Sequence, residues 1–161
     1  MVKVLIKKLS PEVQLPSYKT LGSSGMDLMA FISSSITIKP RTSRLISTGL
    51  SMAFSQDYEI QIRPRSGLAI KNNISVLNTP GTIDSDYRGE IKIILYNHGH
   101  EDFVINNNDR IAQMILTPVL KMEFQEVDEL PNTTRGIDGF GSTGKWITQL
   151  TKKRLRDFQD K

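Results

Sequence analysis

The chain has 161 residues, no cysteine, a formal net charge of +4 and a pI near 9.4. That length fits one domain with a sizeable core, and the missing thiols exclude disulfides and thiolate metal sites. No apolar run reaches membrane-spanning length and no signal-peptide pattern opens the chain, so a cytoplasmic protein is expected. The surplus charge is confined to one end. Residues 145–161 hold Lys145, Lys152, Lys153, Arg154, Arg156 and Lys161 against Asp157 and Asp160, which leaves residues 1–144 formally neutral. A domain-wide nucleic-acid surface is therefore not expected.

In chain order the dominant period is two. Val2–Leu9, Ile36–Lys39 and Arg44–Phe54 are β-rich, and Tyr58, Ile60 and Ile62 then alternate with Glu59, Gln61 and Arg63. Further β-rich runs follow at Ile91–Tyr96, Phe103–Ile105 and Ile111–Val119, and Leu120, Met122 and Phe124 alternate with Lys121, Glu123 and Gln125. Turn signals at Lys39-Pro-Arg, Thr79-Pro-Gly, His98-Gly-His and Asn106-Asn-Asn-Asp separate them. Short strands so punctuated predict an all-β sandwich, jelly roll or barrel. One short helix is expected after Pro64-Arg65, with Ser66 as its cap. In the tail, Trp146, Ile147, Leu150, Leu155 and Phe158 share one half of a helical wheel, a moderate amphipathicity that fits a partly ordered docking helix and a frayed end equally well.

Polar residues inside β-rich sequence carry the chemical signal. Asp27 sits between apolar neighbours in Ser23-Ser-Gly-Met-Asp-Leu-Met29, where a turn or capping carboxylate is the simplest reading. In Pro64-Arg-Ser-Gly-Leu-Ala69 a guanidinium precedes exposed helix amides, an arrangement that suits a phosphate. Asn78-Thr-Pro-Gly-Thr-Ile-Asp-Ser-Asp-Tyr-Arg-Gly89 reads as a tight hairpin-like excursion. It carries carboxylates able to activate water and an amide able to read a base edge. Asp109-Arg-Ile-Ala-Gln-Met114 places Arg110 and Gln113 in an apolar strand, where an unpaired amide is costly. His98 and His100 flank a glycine without a third metal ligand nearby.

Arg135 to Lys145, RGIDGFGSTGK, can be overlaid on the dinucleotide fingerprint and on the P-loop. Both overlays fail on context. Each needs a strand before the loop and a helix after it, whereas a turn composition, Leu130 to Thr134, precedes this one. Trp146 stands where a P-loop needs a hydroxyl. On composition a Gly/Ser linker is the alternative, whereas a cation, an aromatic face, hydroxyls and bare amides suit a clamp on a phosphorylated, ring-containing ligand.

Taken in order, SGMDL, PRSGLA, NTPGTIDSDYRG, DRIAQMI and RGIDGFGSTG resemble the five motifs of the trimeric deoxyuridine triphosphatases, over roughly residues 21–144. The resemblance implies a β-jelly-roll homotrimer with three sites at subunit junctions, each built from all three chains. It implies Mg²⁺-dependent hydrolysis of dUTP to dUMP and pyrophosphate, which removes dUTP and supplies dUMP for thymidylate synthesis. By the same resemblance Asp84 activates the attacking water, and Tyr87 packs under deoxyribose and excludes a 2′-hydroxyl. Asn78, with hairpin backbone groups including those of Gly81, reads uracil. Arg65, Ser66, Gly67 and Gln113 contact phosphates, and Asp27 holds metal-bound waters. In the arm, Phe140 stacks on uracil while Arg135, Gly141, Ser142 and Thr143 complete the substrate contacts. The expected divisions are a body (1–134), a closing arm (135–144) and a basic extension (145–161) that the resemblance does not explain. Asp138 departs from the family, which usually has a small residue there. A dCTP deaminase and a non-catalytic nucleotide-binding protein are the competing readings on this fold. The first calls for a glutamate near the pyrimidine; the second, for loss of the water-activating carboxylate or the arm.

Overall fold

The computed structural model describes residues 1–138, and these divide into two units, Met1–Lys121 and the segment from Met122 onward. Among the described residues, the first unit contains every strand and the one helix. Its strands are β1 (Leu5–Lys8), β2 (Met26–Met29), β3 (Ile36–Ile38), β4 (Ser43–Ser47), β5 (Leu50–Ala53), β6 (Tyr58–Arg63), β7 (Ile74–Val76), β8 (Gly81–Ile83), β9 (Lys92–Asn97), β10 (Phe103–Ile105) and β11 (Arg110–Pro118). Helix α1 (Ser66–Asn72) lies between β6 and β7.

The strands form an antiparallel jelly roll. One sheet has the order β2-β11-β6-β8 and another β4-β9-β7, while β1-β5 and β10-β3 pair as ribbons. Alternation explains the core. Ile60 and Ile62 of β6 are buried, as are Ile93 and Leu95 of β9, and all four join one apolar cluster with Ile46, Leu28 and Met114. Each such side chain contributes about 1.5–3 kcal/mol by leaving water. Asn97, at the inward end of β9, is buried without penalty. It donates to the carbonyls of Ile38 (2.9 Å) and Glu101 (2.8 Å) and accepts from the Gly99 amide (2.8 Å).

Three expectations change. The run Arg44–Phe54 is not one strand, because Thr48 and Gly49 break it between β4 and β5. Gly49 adopts φ +68°, and a Cβ there would lie 2.5 Å from Val13 Cγ2, so only glycine turns this corner without strain. Ser66 does not cap α1: Arg65 is the N-cap, Ser66 is the first helical residue, and no side chain caps the helix. The segment Asn78–Gly89 is not a paired hairpin either, since β8 pairs with β6 whereas β9, just after it, pairs with β4 and β7. The excursion passes from one sheet to another.

In the second unit the alternation at 120–125 forms no strand among the described residues. Met122 and Phe124 are exposed, as is Leu120 at the end of the first unit. Further on, Arg135 Nε donates to the Asp138 carbonyl at 2.8 Å, and Gly136 turns the chain at φ +56°. It is the main chain of Asp138 that meets the arginine.

Candidate active site

Two clusters of the predicted site residues form on the first unit. The first lies at the C-terminal end of β6. Asp27 on β2, Gln113 on β11 and Arg63 on β6 stand in one row across the sheet. The chain then turns through Pro64 into α1. Gln113 Nε2 donates to the Pro64 carbonyl at 3.0 Å, which satisfies the amide and ties β11 to this turn. Asp27 is not a turn or capping residue. It is half-buried, and its two oxygens accept from Arg65 Nε (2.9 Å) and Arg110 Nη1 (3.3 Å). Arg65 also donates to the Arg110 carbonyl at 3.1 Å, so the guanidinium is held in place from two sides.

The start of α1 adjoins this ion-pair network. No side chain caps the helix and its first turn holds no acid, so its leading amides are open to an anion. A Cβ at Gly67 would meet nothing within 4 Å. The fold itself gives no packing reason for that glycine, which leaves room for a close-approaching ligand. A cleft of about 360 Å³ opens beside Arg65 and Arg110 and is also lined by Leu68, Phe103 and Asn108. Together these groups set two guanidiniums and open helix amides around one embedded carboxylate.

The second cluster is the sheet-crossing loop after β8. The Tyr87 amide donates to the Asp84 carbonyl (3.1 Å), and Arg88 Nη1 donates to the carbonyls of Ser85 (2.7 Å) and Tyr87 (3.0 Å). The Tyr87 hydroxyl donates to the Glu90 carbonyl at 3.0 Å, and its ring occupies the space a Gly89 side chain would take. The loop is thus held by its own main chain, which leaves the carboxylate of Asp84 exposed. It faces a cleft of about 430 Å³ lined by Tyr58, Glu59, Asp86 and Lys121. Asn78 sits before β8, its side-chain amide packed on Gly81, where a Cβ would come within 3.2 Å of Nδ2.

The clusters do not meet. Ile83 pairs with Ile60, so Asp84 lies level with Glu59, four residues along β6 from the Asp27–Gln113–Arg63 row. That is about 13 Å along the strand, and from β2 to β8 it is three strands across, about 14 Å more. Arg135 belongs to the second unit, while Phe140, Gly141, Ser142 and Thr143, like the tail 145–161, lie outside the described residues.

Sequence reasoning named Arg110 only as a polar residue in an apolar strand and did not name Glu90. The first could have been paired from charge alone, since a half-buried Asp27 needs a cation. For Glu90 the only signal is an acid directly after Gly89, and nothing local shows where its side chain reaches.

Residues 11–144 match the dUTPase family model. A deoxyuridine 5'-triphosphate nucleotidohydrolase of Nautilia profundicola is 54% identical over 144 residues, covering 89% of this chain and all of the relative. The protein of the same name in Fusobacterium nucleatum is 53% identical, covering 90% of this chain and all of the relative. The fold is similar to that of the Staphylococcus bacteriophage 80alpha dUTPase solved with dUpNHpp, at TM-score 0.80 and 21% identity, covering 89% of this chain and 99% of that one. It is also similar to a dUTPase from phage phi11 of S. aureus, a structure that reports a structural Mg(II) ion, at TM-score 0.73 and 18% identity, covering 81% of this chain and 99% of that one. With the family model spanning most of the sequence and relatives above half identity across nearly all of it, the chain belongs to the dUTPase family.

Proposed function

We propose that this chain hydrolyses dUTP to dUMP and pyrophosphate at sites shared between copies of itself in a homotrimer. The observation that carries the shared site is the separation of the two clusters. One cluster has cations and open amides, with Asp27 paired to two guanidiniums and Asp109 accepting from the Asn106 amide; the other has the exposed carboxylate of Asp84 but no comparable anion site. Cleavage between the α- and β-phosphates needs both within contact of one triphosphate. Copies arranged about a closed axis bring the first cluster of one against the second cluster of the next.

In this reading Arg65 and the first-turn amides of Ser66 and Gly67 bind the phosphates, and Gln113 contributes its remaining polar capacity there. Oriented donors and a fixed guanidinium stabilise the charge that grows on the departing pyrophosphate. Asp84 takes the proton from the attacking water. Asn78 reads the uracil edge beside Gly81, and Tyr87 packs under the sugar. Arg135 to Gly144 forms the arm that closes over the nucleotide, and 145–161 forms a separate extension.

Mg²⁺ fits the first cluster in a specific way. Among the described residues no three acidic, His or Cys side chains converge as a protein cage. Mg²⁺, however, commonly keeps its waters and binds through one or two carboxylates plus substrate phosphates. Asp27 is the carboxylate embedded in that cluster, and its oxygens retain lone pairs beyond those given to Arg65 and Arg110. When bound, the ion neutralises phosphate charge.

The test is pyrophosphate release from each deoxynucleoside triphosphate by the full chain with Mg²⁺. Hydrolysis of dUTP with little of dCTP or dTTP is expected. Ammonia released from dCTP, or equal turnover of all substrates, contradicts the reading.

A further inference from the structure

The Tyr87 ring is seated on a glycine. A Cβ built on Gly89 would lie 2.3 Å from the Tyr87 hydroxyl oxygen, 2.5 Å from Cζ and 3.0 Å from Cε2, and these three nearest atoms all belong to that one ring. Carbon atoms rest about 3.5–4.0 Å apart, so a side chain at position 89 would move the ring by about 1 Å. The backbone gives no other reason for the glycine. Among the described residues the glycines at positive φ are Gly49 and Gly136, so the main chain at 89 suits an L side chain. The hydroxyl end of the ring is tied to a fixed point. It donates to the Glu90 carbonyl at 3.0 Å, and the Ile91 amide of the same planar peptide group donates to the Leu50 carbonyl at 2.8 Å. The ring therefore reaches its acceptor only by sinking into the space that Gly89 leaves empty.

We propose that Gly89 is a positioning residue for sugar selection: its missing side chain is the seat of the Tyr87 ring and sets where the ring meets the sugar. This rests on the reading of Tyr87 as the ring that packs under deoxyribose and excludes a ribose 2′-hydroxyl. A ring displaced by about 1 Å leaves the Glu90 carbonyl and no longer matches the sugar, and a misplacement of that size forfeits much of what a fitted site gains. UTP, which the seated ring already refuses, has little left to lose. The loss falls on dUTP, and the preference for it narrows. A purely structural role is separable, because Tyr87 and Gly89 are both exposed and a substitution at 89 meets the ring before it meets anything of the core.

The experiment compares kcat/KM for dUTP and UTP, with melting midpoints, in the parent, Tyr87→Ala and Tyr87→Phe, each with and without Gly89→Ala. In the parent, Gly89→Ala is expected to narrow the dUTP-to-UTP ratio about tenfold. In the Tyr87→Ala background the same change should leave the ratio where Tyr87→Ala put it and hold or raise the melting midpoint, since no ring is left to displace. The Tyr87→Phe background decides the matter if Gly89→Ala alone does not fold. It removes the hydroxyl, the atom nearest the added Cβ, but the ring carbons still overlap with that Cβ, so Gly89→Ala should narrow the ratio there too. If Tyr87→Ala narrows the ratio while Gly89→Ala leaves it unchanged beside tyrosine and beside phenylalanine, the Gly89 inference alone is overturned. An equal narrowing by Gly89→Ala with and without the ring overturns it as well, because the glycine would then not act through Tyr87. If Tyr87→Ala changes nothing, the sugar-selecting role of the ring fails and the Gly89 inference falls with it.

Discussion

Replacing Asp84 with asparagine is expected to lower dUTP turnover by a factor of about 10² or more while nucleotide binding persists. The amide matches the carboxylate in size and still forms hydrogen bonds, but it cannot take a proton from water. The loop should survive the change, because its closing bond from the Tyr87 amide ends on the main-chain carbonyl of residue 84. Calorimetric binding of a non-hydrolysable dUTP analogue beside single-turnover hydrolysis separates the two effects. Near-parental turnover in a pure sample removes Asp84 from the role of general base.

Deleting Arg135–Lys161 should leave a folded β-rich oligomer whose hydrolysis is impaired by at least about tenfold. Every strand of the described structure ends by Pro118, so the deletion takes nothing from the jelly roll. It does remove the cation, aromatic and hydroxyl groups that, in the proposed function, close the site and keep competing water out. Deleting only Trp146–Lys161 should leave most of the activity, because the arm motif is intact. Steady-state hydrolysis and sedimentation of both truncations give the comparison. Equal loss in the two makes arm and tail one functional unit, and full activity after the longer deletion takes the arm out of the mechanism.

The strands legible in the sequence were those whose pattern is local. The alternation of Tyr58, Ile60 and Ile62 gave β6 at its observed limits, and Phe103–Ile105 gave β10, because one face of each is buried in the same chain. The corner at Gly49 was hidden, since apolar residues continue on both sides of it and only backbone handedness marks the break. The alternation of Leu120, Met122 and Phe124 is genuine, yet a strand also needs a partner ladder, which no local pattern specifies. At the site, the motifs name Asp27, Arg65 and Gln113, which the fold gathers at one end of β6. The ion pairs of Asp27 join positions 38 and 83 residues away, a relation that exists only after folding.

Co-expression of two inactive variants tests the shared site most directly. Arg65→Ala disables the phosphate cluster and Asp84→Asn disables the water-activating loop. With differently tagged chains, every mixed trimer, in either ratio, makes about one third of its junctions from an intact phosphate cluster and an intact loop. The mixed trimer, purified through both tags, should therefore recover a substantial part of the parental turnover while each variant alone stays nearly inactive. A mixed trimer no more active than its parents would contradict the account, because it would mean that each chain completes its own site.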